Sequence, residues 1–184
     1  MKLKKTTWTL MITAFVISGW VALYELPRQK QNNNNITEQK IFNIEENQIR
    51  KITINKPDLT LEFVASADQA SSWSMIKPEE TLADDGVIAF LTDLLVSGTS
   101  DRVITLDDSS LAEYGLDKAI ATISFATTDN QIYKIKLGKS TIGDRFIYAQ
   151  VFSNTKINNQ VVLVSKNWQY AIDRDLQEWK SQLN

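Results

Sequence analysis

The 184-residue chain contains no cysteine and no histidine. Without cysteine it can form no disulfide, thiolate nucleophile, iron–sulfur cluster or thiolate zinc site. Without histidine it has no imidazole base, and a Ser–His–Asp or Cys–His relay cannot be built. An enzyme would be left with carboxylate, lysine or tyrosine chemistry, or with a hard cation held by carboxylates. We therefore expect a protein that is not an enzyme, with no catalytic residues, no cofactor and no metal site.

Charge is scarce at the start of the chain, apart from three lysines among the first five residues. The stretch from Thr6 to Tyr24 has no charged residue, and its 19 residues approach the ~20 that a helix needs to cross a bilayer. Tryptophan and tyrosine lie near its ends, as is typical at membrane interfaces. We predict a membrane anchor in residues 1–26, with a single transmembrane helix at about residues 6–25.

The lysines predict a cytoplasmic N-terminus, which places the rest of the chain on the periplasmic or lumenal side. A cleaved secretory signal is the alternative interpretation. The sequence Val21-Ala22-Leu23 matches a small-residue cleavage site poorly, so the anchor is favoured. Plasma and thylakoid membranes both stay open.

A polar stretch with four consecutive asparagines follows the predicted anchor. It has no apolar periodicity, so we predict a flexible linker in residues 27–40 and a globular domain in residues 41–184. After the three lysines the chain carries 17 basic and 22 acidic side chains, a formal charge of −5. This balance, without a basic stripe, disfavours nucleic acid as a partner.

Alternating apolar residues predict several strands beyond residue 41. Ile52 and Ile54 alternate with polar residues, as do Leu61 and Phe63 after the turn signal at residues 55–58, which is typical of a hairpin with one buried face. Further strands are predicted near Trp73 and Met75 and in the segments 102–106, 121–125, 133–137, 145–151 and 161–164.

Two main helices are predicted among these strands. The first has apolar residues at helical spacing from Val87 to Leu95, with Asp84 or Asp85 as its cap and Ser97-Gly98 at its end. The second extends from a cap at Ser165 through Trp179. Strands joined by short turns favour antiparallel pairing, so the fold class is α+β, and the order of elements suggests two similar βα halves.

Several stretches carry a resemblance to a known family. They are MKLKKTTW at Met1–Trp8, QKIFNIEENQI at Gln39–Ile49, Trp73 followed by Pro78, VIAFLTDLLVSG at Val87–Gly98, SDRVI at Ser100–Ile104, EYGLD at Glu113–Asp117, KLGK at Lys136–Lys139 and FIYAQ at Phe146–Gln150. On this ordered series the chain resembles the bacterial family called domain of unknown function 4340, most closely its short, single-anchor members of cyanobacterial type. It departs from the family at Lys118-Ala119, where a proline is often found.

The resemblance implies a membrane-tethered, extracytoplasmic α+β domain, and some longer relatives resemble auxiliary parts of gliding or ABC-type export systems. The family offers no catalytic residues to carry over. We therefore expect an accessory module for an unknown protein partner, associated with an export or envelope complex. A small-ligand or glycan-binding domain is one alternative, and a carboxylate-dependent envelope glycosidase is the other.

The candidate interaction loop contains Tyr114, Leu116 and Asp117, with Arg102 as a further candidate contact. As a functional site, this loop would offer its side chains to a partner. The structural alternative is that Gly115 adopts a positive φ to end a helical turn, with Tyr114 and Leu116 packed beneath it. Nearby, Gly138 and Gly143 flank a Lys-Ser-Thr sequence, which lacks the glycine order of a phosphate-binding loop and predicts a β-turn.

Overall fold

The computed structural model describes residues 39–66, 72–105, 111–153 and 156–182. The predicted transmembrane helix at residues 6–25 and most of the predicted linker lie outside these ranges. Within them, no helix combines the length and the apolar character that a membrane span requires.

The described residues form one sheet of ten strands. In chain order the strands are β1 Gln39–Lys40, β2 Ile49–Asn55, β3 Thr60–Ala65, β4 Trp73–Lys77, β5 Thr81–Leu82, β6 Thr99–Thr105, β7 Ala121–Thr127, β8 Ile132–Ser140, β9 Phe146–Ser153 and β10 Lys156–Ser165. Helix α1 is Asp85–Ser97 and helix α2 is Asn167–Ile172, with short 3₁₀ turns at Glu46–Gln48 and Leu176–Trp179.

The spatial order of the strands is β1-β6-β10-β9-β8-β7-β2-β3-β4-β5, and the neighbouring strands pair antiparallel. This confirms the α+β class. Strands β2 to β5 form one meander followed by α1, and strands β7 to β10 form another followed by α2. The meanders join in mid-sheet, where Ile52 lies opposite Phe125 and Ile54 opposite Ile123.

The core lies on one face of this sheet, because alternate residues of each strand point to the same side. In β2 and β7 these residues are Ile52, Ile54, Ile123 and Phe125, all at most 1% exposed. Helix α1 covers this face with buried leucines and Ile88, and it packs against α2 and both 3₁₀ turns.

Helix α1 begins and ends where the sequence predicts. Asp84 is its N-cap, with a side-chain oxygen accepting a hydrogen bond of 2.9 Å from the Val87 amide. At its other end Gly98 allows a close approach, since an added Cβ would lie 2.3 Å from the Leu94 carbonyl oxygen and 3.0 Å from the ring of Trp168.

The second predicted helix is wrong in length. Helix α2 starts after Lys166, whose side chain makes no capping bond, and stops at Ile172 rather than continuing to Trp179. The reason is a competing local structure: Asp175 and Glu178 form a capping box in which the Asp175 amide donates to Glu178 at 2.8 Å. The new start redirects Trp179 into the core, where its ring lies 5.2 Å from that of Phe63.

Candidate functional site

A groove of about 600 Å³ runs between helix α1, the 3₁₀ turn at Glu46–Gln48 and the start of strand β4. The helix contributes one stripe of side chains, namely Asp85, Ile88, Ala89, Thr92 and Val96. These positions recur at three- and four-residue spacing, so they share one face. One side of helix α1 therefore forms one wall of the groove, beside the face of the helix that packs on the core.

The floor of the groove is apolar. It is formed by Ile49 at the start of β2, Trp73 at the start of β4 and Ile88 of the helix, all nearly buried. Ala89 keeps the groove open because its short side chain fills little of the space between helix and turn. An apolar side chain of a ligand could be buried here against the Trp73 ring.

The groove lining is acidic. Glu45, Glu46 and Asp85 supply three carboxyl groups, and Arg50 is the only basic residue among the lining residues. An apolar floor with acidic groups around it fits a ligand that combines an apolar group with a positive charge.

Two local hydrogen-bond systems hold the turn beside the helix. Glu45 and Gln48 form a capping box, with the Glu45 amide donating to the Gln48 side chain at 2.8 Å. Thr92, which is 1% exposed, shares its hydroxyl hydrogen between Glu46 at 3.3 Å and the Ala89 carbonyl at 3.0 Å. The turn is therefore fixed to α1 by a side-chain contact across 46 positions of the chain.

Sequence reasoning did not find this groove. It predicted a strand near Trp73, which is the first residue of β4 and is 7% exposed, but it gave no role to the acidic pair at Glu45 and Glu46. The available signal was Thr92, a polar residue within the apolar stripe of α1, because a buried hydroxyl needs a partner.

The predicted interaction loop lies on the opposite face of the sheet. Leu116, at 1% exposure, packs with Val161 in a small cluster that also includes Tyr114. Val162 faces the main core, and its neighbour Val161 therefore points to the other side. The structure does not bring this loop together with the groove.

Close backbone contact fixes the loop on the sheet. The Tyr114 carbonyl accepts a hydrogen bond of 3.0 Å from the Lys139 amide, and a Cβ at Gly138 would lie 2.2 Å from that same oxygen. Gly115 has a φ of +69°, as the structural interpretation of the loop requires.

The remaining two candidate residues are solvent-exposed. Asp117 follows the buried Leu116, and Arg102 lies in β6 opposite Leu163. Of the four predicted contacts, these two are accessible to a partner, whereas Leu116 is not while the loop stays on the sheet. The use of this loop as an interaction site stays a prediction.

A second charged cluster lies on the face of the sheet opposite α1. Glu62 is 7% exposed and forms ion pairs with Lys51 and, at 2.9 Å, with Lys77. The two lysines, Lys51 first, hold the pKa of Glu62 below its usual value of 4.5. The arrangement stabilises the charged form of the Glu62 carboxylate.

Within the described ranges, no three acidic side chains come together in an arrangement that could hold a metal ion.

One family model matches the chain. It is described as Domain of unknown function (DUF4340) and covers residues 73–182. The match includes the helix side of the groove and Trp73, whereas the turn at Glu46–Gln48 lies before it. No curated protein matches the chain, and no solved structure does.

Proposed function

The chain belongs to the family of the Domain of unknown function (DUF4340), and we propose that it is an accessory protein-binding module, anchored in a membrane and acting on its non-cytoplasmic side. The groove beside α1 is the docking site for a segment of the partner. The observation that carries the proposal is the combination of an apolar floor at Trp73 with three carboxyl groups around it.

The chemistry of the groove specifies the partner segment. The floor takes an apolar side chain, and the acidic lining attracts a lysine or arginine next to it. The predicted anchor supports this role, because a tether raises the local concentration of a weak binding site near its partner.

The anchor and its orientation are tested through a single introduced cysteine. The chain has none of its own, and Thr128 is exposed in the turn after β7. We expect a membrane-impermeant maleimide to label the full-length Thr128→Cys variant in intact cells, and the protein to stay in the membrane after alkaline carbonate extraction. Labelling only after the cells are opened would contradict the orientation.

Partner binding is tested by photo-crosslinking of the full chain in cells of its source. A photoreactive amino acid at Ala89 lies in the groove, and the same amino acid at Ser97 is an exposed control on another side of α1. We expect Ala89, and not Ser97, to give a discrete protein adduct whose cross-linked peptide contains an apolar residue and a lysine or arginine.

Charge reversal distinguishes docking from chance capture. The adduct at Ala89 should fall at least about tenfold when Glu46→Lys and Asp85→Lys are combined, because the reversed groove repels a basic segment. The exposed pair Asp58→Lys and Glu113→Lys, outside the groove lining, is the control for net charge. An adduct that survives the reversal, or a sugar in place of a peptide, would overturn the proposed protein docking, and a sugar would favour the glycan-binding alternative.

A further inference from the structure

The turn between β8 and β9 carries the most exposed large apolar side chain in the described part of the chain, that of Ile142. The residue is next to Gly143, whose φ is +89° and whose missing Cβ would meet no atom within 4 Å. Nothing in the described structure packs against this tip.

Positive side chains surround the tip. Lys139 and Arg145 flank it in sequence and are both exposed, and Lys118 is exposed just before β7, at the same end of the sheet. Three acidic residues also lie at this end: Asp117 beside Lys118 and Glu113 beside Tyr114 are exposed, and Asp144 is paired with Lys166. The exposed charges outside that ion pair are three basic and two acidic, a small positive excess in a domain that is acidic as a whole.

The base of this turn is held firmly. Lys166 donates to Ser140 at 2.7 Å and also binds Asp144, and the Thr141 amide donates to the Phe146 carbonyl at 2.9 Å. The tip is consequently presented outward by a closed hairpin.

The register of the sheet places this tip at the end where the described chain begins. Strand β1 lies beside the start of β6, with Lys40 opposite Thr99. The start of β6 lies beside the end of β10, with Ser100 opposite Val164. The end of β10 lies beside the start of β9, where Ser165 is opposite Phe146, so all these strand ends are at the end of the sheet that carries the tip. Four strand spacings of ~4.8 Å separate β1 from β8, so the chain entry and the tip are roughly 20 Å apart along this end.

We propose that the β8–β9 tip is a membrane contact, with Ile142 entering the headgroup region of an anionic bilayer and Lys139, Arg145 and Lys118 binding lipid phosphates. The inference rests on the anchor in the proposed function. The part of the predicted linker that precedes β1, residues 27–38, would span roughly 20 Å as a flexible coil, about the separation between the chain entry and the tip. The acidic groove, at the opposite end of β2, would then face away from the lipid.

Depth-dependent fluorescence quenching tests the contact in the full chain reconstituted in vesicles with anionic lipid. One variant carries a label at Ile142→Cys, and the control carries it at Thr128→Cys, at the other end of β8. Since β8 has nine residues, the two turns are roughly 30 Å apart. We expect headgroup nitroxides to quench the label at 142 at least about twofold more than the label at 128.

A second probe leaves the native tip intact. A label at Asp117→Cys should also be quenched, and Ile142→Asp in the same chain should reduce that quenching by about half or more, because a charged tip leaves the bilayer. Replacing Lys139 and Arg145 with glutamate should have the same effect, and so should vesicles without anionic lipid.

The possible failures are separable. If carbonate removes the protein from the vesicles, the anchor in the proposed function is wrong and the membrane contact falls with it. If the protein stays inserted but the labels at 142 and 128 are quenched equally, only the membrane contact is overturned. A label at 142 that lipid does not quench, yet that is protected from soluble reagents in cells, would assign the tip to a protein partner instead and would also overturn it.

Discussion

At the scale of single residues, Glu62 is a charged side chain that is buried in the described structure. It alternates with the core residues Leu61 and Phe63, so it points to the opposite face of the sheet. There it is nearly covered by its own lysine partners, which remain about half exposed themselves. Water reaches these lysines, so screening keeps the contribution of the pairs to stability modest.

The pKa of Glu62 gives a pH-dependent prediction. Because its folded pKa lies below 4.5, its ionised form stabilises the domain above that pH, and the contribution is lost as the pH falls through the folded pKa. We expect Glu62→Gln to lower the free energy of unfolding by ~1 kcal/mol near neutral pH. The difference from the parent should fade below about pH 4.

Urea unfolding at several pH values measures this difference. Glu80→Gln is the matched control, since Glu80 is exposed and forms no ion pair within the described ranges. A Glu62→Gln deficit that stayed constant down to about pH 3 would point to lost packing rather than lost charge.

At the scale of elements, the sequence predicted what local patterns determine. The β2–β3 hairpin follows from two alternating runs around residues 55–58, and α1 follows from helical spacing with Asp84 as a cap. Each of these elements is specified by residues close together in the chain, so its pattern can be read directly.

The helix after β10 shows where that reasoning fails. The apolar residues from Trp168 to Trp179 have helical spacing, and spacing alone favours one helix. Instead, the side chains of Asp175 and Glu178 each accept a hydrogen bond from the backbone amide of the other residue, and this capping box starts a separate 3₁₀ turn. The spacing of apolar residues predicts which side chains are buried, but it does not show that the chain changes direction between Ile172 and Leu176.

The groove was missed for a different reason. Its walls come from residues 45–50, residue 73 and helix α1, which only the folded sheet brings together. No local pattern in the chain encodes that neighbourhood. By contrast, the sequence points to the loop at Tyr114 because Gly115 indicates a backbone with positive φ. Such a backbone can serve the fold or a functional site, so the glycine alone does not distinguish the two.

At the scale of the whole molecule, the strand order shows how the two meanders depend on each other. Strand β7 has β8 on one side and β2 on the other, and β2 in turn pairs with β3. The central pairing thus joins residues 49–55 to residues 121–127, far apart in sequence. The family match begins at residue 73, so it omits two strands from the middle of this sheet.

This arrangement predicts that residues 73–182 alone do not fold. Without β2 and β3, strand β7 loses a partner and the side chains of Ile123 and Phe125 lose their cover from Ile52 and Ile54. Two new sheet edges would also be exposed, and such edges favour aggregation. We expect the fragment 73–182 to be aggregated or to lack a cooperative unfolding transition, whereas residues 38–184 show one.

Circular dichroism during urea unfolding and sedimentation of the two fragments make the comparison. The longer fragment is the necessary control, because it differs only by restoring the strands that precede β4 together with the last two residues. A cooperative transition in the 73–182 fragment at the same urea concentration would mean that β4 to β10 close into a sheet without β2. In that case the pairing of β2 with β7, which includes Ile52 and Phe125, would not be required for the domain to fold.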